Sequence, residues 1–169
     1  MKLRYILLAM VVALGACDPN DTIKDYKTEY TSVGGMLAGE WYVTYTVDGD
    51  IWASNSKIST FNTAADNGTE MWIDDDDNFW GLKSVIKCNT GNNTFSAEAA
   101  DELYYGITVD IKNGKVLPGA GTTAAGNVTD SIYFEITYND IDPDTGELDP
   151  TTAIVAGVRR TGFLEDEHE

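Results

Sequence analysis

The sequence predicts an all-β domain: an antiparallel meander of about eight strands closed into a barrel, with a β-sandwich as the alternative. Three observations carry that expectation. Apolar and polar residues alternate at period two through three long stretches, the signature of strands with one buried face. The segments between are short and rich in Asp, Asn and Gly, which are turn formers. Helical periodicity is nearly absent, residues 97–103 being the one place where a helix is expected. Closure of so many short strands removes the exposed edges that an open sheet would present.

Taken in order, the first strand places Trp41, Val43, Tyr45 and Val47 on one face and Tyr42, Thr44 and Thr46 on the other. Shorter alternations follow over 57–62, 69–73, 79–88 and 94–97. Leu103, Tyr105, Ile107, Val109 and Ile111 then alternate with Tyr104, Gly106, Thr108 and Asp110, and Ile132, Phe134, Ile136 and Tyr138 with Ser131, Tyr133, Glu135 and Thr137. The last strand covers 152–160. Turns are expected at 48–50, 66–68, 74–78, 89–93, 113–114 and 140–150, mostly at hairpin lengths.

The N-terminus carries Lys2 and Arg4 and then an apolar run over 5–14, the order of a secretory signal; the run is too short for a bilayer, which takes about 20 residues in a helix. Leu14-Gly15-Ala16-Cys17 resembles the lipobox of bacterial lipoproteins. That resemblance implies cleavage before Cys17 and acylation of its thiol, with chains such as palmitate holding the protein to the outer membrane. Residues 1–16 are then signal peptide, 17–35 a polar lipidated tether, 36–164 the barrel and 165–169 an acidic tail expected to be disordered. Asp18 and Asp21 resemble an acidic signal for export to the cell surface, and Asp21-Thr22-Ile23 an O-glycosylation sequon.

Eleven basic residues against 28 acidic give a formal charge of -17. Such a surface repels phosphate backbones and anionic headgroups, which excludes nucleic acid as a partner. With Cys17 committed to lipid, Cys88 has no partner and is expected to be a small core residue.

Gly39-Glu40-Trp41 opens the first strand and Arg159-Arg160-Thr161-Gly162-Phe163 closes the last. This pairing resembles the calycin and lipocalin type of barrel, in which an arginine of the last strand packs across the tryptophan; a cation over an indole adds about 0.5 to 2 kcal/mol. Arg159 and Arg160 have opposite parity, and either could reach Trp41. Together with the lipobox and the acidic hairpins, these motifs resemble a family of bacterial lipoproteins known as lipid-binding putative hydrolases. The resemblance implies a barrel that holds a hydrophobic ligand.

No hydrolase is visible in the residues themselves. The only histidine is His168, second from the C-terminus, and no Gly-x-Ser-x-Gly elbow is present, so neither a catalytic triad nor the usual zinc ligand set can be assembled. The aspartates of 140–149 fail as an EF-hand, with glycine at the seventh place and Thr151 at the twelfth; this run and 74–78 read as solvated loops. We therefore expect no enzyme, no metal and no cofactor. Trp41, Tyr45, Trp72, Trp80, Tyr105 and Phe134 are the candidates for an interior ligand lining. Two readings remain open: a barrel with a pocket that takes a small hydrophobic or lipid-like ligand, and a filled barrel acting as an envelope interaction module for a protein or glycan.

Overall fold

A computed structural model describes residues 30–168. The signal, Cys17 and the sequon at 21–23 lie outside the described residues. Eight antiparallel strands close in simple sequence order, each paired with the next and β8 with β1. They are β1 Gly39–Val47, β2 Asp50–Asn62, β3 Glu70–Asp74, β4 Lys83–Asn89, β5 Thr94–Asp101, β6 Thr108–Thr122, β7 Val128–Ile141 and β8 Leu148–Arg159.

Period two decides what is inside. Trp41, Val43, Tyr45 and Val47 of β1, Ile132, Phe134, Ile136 and Tyr138 of β7, and Ala153 and Val155 of β8 are all buried, and they fill the barrel with their own side chains. Two expectations need correction. Residues 97–103 do not form a helix, since β5 runs to Asp101; small residues and bulges let it follow β6. Asn113-Gly114 is not a hairpin turn but a bulge inside β6, where the pairing with β7 shifts between Lys112 and Lys115 and Gly114 packs against Phe95. The turn proper comes later, between Thr122 and Val128.

The strand directions give the barrel two unlike ends. At the base lie the start of β1, the end of β8 and the turns β2–β3, β4–β5 and β6–β7. Arg159 closes this end. Its guanidinium lies 4.3 Å from the Trp41 ring centroid, which settles the choice between the two arginines. It also donates to the carbonyls of Met36 and Ala38, both at 2.5 Å, and to Asp130 Oδ2 at 3.0 Å. Trp41 in turn donates its indole N–H to Thr60 Oγ1 at 2.9 Å, and Thr60 donates to the Leu37 carbonyl at 2.5 Å. Val33 and Leu37 are thereby buried under the base, so packed structure begins inside the stretch read as tether. Gly39 is glycine because a Cβ there would strike the Arg159 guanidinium, and Gly157 because a Cβ would strike the β1 backbone at Tyr42 and Val43.

Arg160 works on the outside. It donates to Glu40 at 2.5 Å and to Glu167 at 2.8 Å, and Tyr42 donates its hydroxyl to Glu167 at 2.5 Å. The Arg160 guanidinium holds the Glu167 carboxyl below the usual range, with Tyr42 adding to it. Asp166 is buried and accepts from Thr161 at 2.7 Å and Asn127 at 3.1 Å. His168 meets the Tyr42 ring edge-on at 4.7 Å. The C-terminal residues 164–168 are therefore docked on the barrel rather than disordered, because each of their acids up to His168 except Glu165 finds a donor.

Arg159→Ala removes a cation–π contact and three charge-assisted hydrogen bonds together. Urea denaturation should show a loss of about 2–4 kcal/mol, and a change below about 0.5 kcal/mol would contradict this account of the base.

Candidate functional site

The opposite end, the mouth, is bounded by the β1–β2 turn and by the β3–β4, β5–β6 and β7–β8 loops. Residues 75–82 form a lid across it. Asp75 carries the lid through one carboxylate oxygen, which accepts the amides of Asp77 at 2.9 Å and Leu82 at 2.8 Å, while its own amide donates to the Leu82 carbonyl at 2.8 Å. Asp74 accepts from the Asp76 amide at 2.9 Å, Lys83 Nζ at 2.6 Å and the Tyr104 hydroxyl at 2.8 Å. Burial opposes its ionisation, but Lys83 and the other donors outweigh burial and keep its carboxyl below the usual range. For Asp75 the balance reverses: burial dominates and pushes its carboxyl up. This acidic run is thus not a wholly solvated loop, since Asp74 and Asp75 are buried.

The second mouth loop, between β5 and β6, is organised by Glu102, itself buried. Its carboxylate accepts the amides of Lys83 at 3.2 Å, Tyr104 at 2.7 Å and Tyr105 at 2.7 Å. Tyr105 donates its hydroxyl to Asp77 Oδ1 at 3.1 Å, tying this loop to the lid.

Aromatic rings fill the space between. Phe79 stacks on Tyr45 at 4.2 Å, Trp80 on Tyr138 at 5.2 Å and on Trp52 at 5.5 Å, and Phe79 meets Trp80 edge-on at 5.7 Å. Outside them opens a pocket of about 480 Å³ lined by Phe79, Trp80, Tyr105, Ile107 and Asp140, within the size range of small-molecule sites. Burial raises the Tyr45 and Tyr138 phenols well above the usual range.

Of the six residues expected to line an interior site, the structure brings Tyr45, Trp80 and Tyr105 to the mouth. Trp41 and Phe134 are buried in the filled barrel, Trp41 at the base. Trp72 points the other way: Met71 and Ile73 take the inward positions opposite Ile86 and Ser84, so Trp72 faces out and stacks on Phe61 at 6.4 Å. Three consecutive apolar residues, Met71, Trp72 and Ile73, leave the parity ambiguous in the sequence. Trp80 and Tyr105 sit in loops rather than strands, since β4 begins only at Lys83 and β6 at Thr108; Tyr105 is 65 % exposed, on the rim rather than inside. Phe79, Tyr138 and Asp75 were not among the expected residues. Tyr138 was findable, being the last inward residue of the clearest alternation.

Another hollow lies elsewhere, a cleft of about 680 Å³ on the outer wall lined by Lys87, Cys88, Asn113, Lys115, Tyr133 and Glu135 among others. Its lining includes two lysines, two asparagines and a glutamate, whereas the mouth pocket is lined by Phe79, Trp80 and Tyr105 and backed by buried phenols. Cys88 is half-buried there, free, and raised in pKa by burial. Among the described residues no group of three His, Cys, Asp or Glu side chains is placed to hold a metal ion, and no helix is long and apolar enough to cross a membrane.

A closed eight-stranded barrel with one sealed base and one aromatic mouth fits a binder of hydrophobic ligands. The family model described as lipid-binding putative hydrolase matches residues 25–164, and the chain belongs to that family. No curated protein matches the chain.

Glu102→Ala leaves three mouth amides without their acceptor. Stability should fall by about 1–3 kcal/mol, and hydrogen exchange should quicken at Tyr104 and Tyr105 while the β1–β8 amides keep their protection; unchanged exchange at 104 and 105 would show that Glu102 does not order the loop.

Proposed function

We propose that this protein is a lipid-anchored, non-enzymatic barrel that takes a small hydrophobic or lipid-like ligand at its mouth. The observation that carries the reading is the aromatic pocket of about 480 Å³ at the unsealed end, in a chain of a lipid-binding family. Rings of Phe79 and Trp80 offer apolar area at little entropic cost, and the filled barrel beneath gives them a rigid floor. The non-enzymatic reading draws support from one placement: the chain's single histidine, His168, touches Tyr42 at the base, remote from the mouth, so no histidine base stands beside the pocket. Anchoring at the outer membrane, with exposure at the cell surface, rests on the lipobox at Leu14-Gly15-Ala16-Cys17 and on the acidic residues after it.

A second reading, contact with an anionic glycan or protein, is favoured by the outer clefts, where Lys87, Lys112 and Lys115 gather on an otherwise acidic chain. A partner held there would be released by salt, whereas a ligand in the mouth would not.

Two measurements test the leading reading. Incubated with a bacterial lipid extract and repurified, the protein should retain a lipid fraction and change its tryptophan fluorescence, with retention about tenfold weaker in Trp80→Ala; an empty protein with unchanged fluorescence rejects the binding role. Cys17→Ser should move the protein from the detergent phase to the aqueous phase, and a variant that still partitions into detergent rejects the anchor.

A further inference from the structure

Among the described residues, three buried side-chain atoms have no hydrogen-bond partner: Tyr45 Oη, Tyr138 Oη and Asp75 Oδ2. All three belong to the mouth. The two phenol hydroxyls approach each other without meeting hydrogen-bond geometry, and both feel the Asp75 carboxylate, so the three atoms share one locality. Buried polar groups are nearly always paired, and three orphans in one place call for a partner the chain does not supply.

Rings of the lid pack directly over this locality. Phe79 lies on the Tyr45 ring and Trp80 on the Tyr138 ring, and these same two residues form the inner wall of the mouth pocket. Phe79 and Trp80 thus touch both the pocket and the rings that bear two of the orphaned oxygens. The other Asp75 oxygen is engaged by the lid amides, so the unpaired one can serve a ligand without dismantling the loop.

Chemistry selects the ligand. A carboxylate and two phenol oxygens can accept three hydrogen bonds, and a primary ammonium donates three. An alcohol brings one donor; a carboxylate brings none and would meet Asp75. The pocket has no Lys or Arg in its lining and carries Asp140, while Asp76 and Asp77 stand exposed on the lid. Trp80 and Phe79 add ring faces that attract a cation.

Resting on the hydrophobic-ligand reading above, we propose that Tyr45, Tyr138 and Asp75 form a headgroup subsite for an amphiphile bearing a primary ammonium. Phe79 and Trp80 turn aside to admit the head, Asp75 Oδ2 takes its charge and the two phenol oxygens take its remaining N–H groups. The apolar chain then lies along Phe79, Trp80 and Ile107 in the mouth.

The test titrates the full chain at neutral pH with octylamine, octanol and octanoate, which share a tail and differ in the head, and follows tryptophan fluorescence. Octylamine should bind at least about tenfold tighter than octanol, and octanoate most weakly. In Asp75→Asn the ratio of amine to alcohol affinity should collapse to within about twofold. A preference that survives this substitution means attraction to the acidic surface alone and overturns the proposal. The double variant Tyr45→Phe, Tyr138→Phe decides the matter should Asp75→Asn fail to fold. It removes two orphaned hydroxyls, so its urea midpoint should hold or rise while octylamine affinity falls about fivefold. A lower midpoint with unchanged affinity would assign the phenols to the fold and reject the subsite. Equal binding of all three probes overturns the headgroup subsite and leaves the hydrophobic-ligand reading standing; binding of none overturns both.

Discussion

The contact between Arg159 and Trp41 governs how this barrel is finished. A closed sheet solves the edge problem for its strands but leaves two open ends, each with backbone carbonyls and apolar side chains facing water. At the base one guanidinium covers the indole and takes the carbonyls of Met36 and Ala38, so that the chain leading into β1 becomes the floor. Glycine at 39 and at 157 is the steric condition for that arrangement. With the base sealed in this way, the mouth is the end of the barrel that keeps a concave aromatic surface.

The mouth is closed by a different chemistry. Its loops are held by carboxylates that accept backbone amides, Asp75 within the lid and Glu102 within the neighbouring loop, and aromatic rings occupy the gap. Carboxylates used in this way order a loop through directional contacts, while the rings pack without fixed geometry. The Asp75 carboxylate ties the lid at Asp77 and Leu82, and the rings of Phe79 and Trp80 pack in between.

The parts of this architecture that sequence made legible are those set by a repeating constraint. Alternation in 41–47 and 131–138 places Tyr45, Phe134 and Tyr138 inside with no further information, because a closed barrel has only an inner and an outer face. The Gly39-Glu40-Trp41 start and the terminal arginines pointed to the sealed end, although only the register of Trp41 opposite Arg159 distinguishes Arg159 from Arg160. Failures fall where a local run supports two parities or two uses. Met71-Trp72-Ile73 fits either face, and Asn113-Gly114 makes a turn or a bulge with equal ease. The aspartates of 74–78 look like a solvated run until the amides they serve are placed opposite them, and those amides come from residues 76–82 of the same loop. The candidate site was legible in its composition, aromatic and acidic, but not in its assembly, which depends on loops rather than on period.

Both described chain ends meet the barrel at its base: Val33 and Leu37 are buried there, and residues 164–168 dock beside Tyr42 and Arg160. The two poles of the molecule therefore differ: one carries both described ends and the other carries the lid. Both described ends thus reach the barrel at the pole where Arg159 holds the Met36 and Ala38 carbonyls. The lid stands at the other pole, with the length of the barrel between it and both described ends.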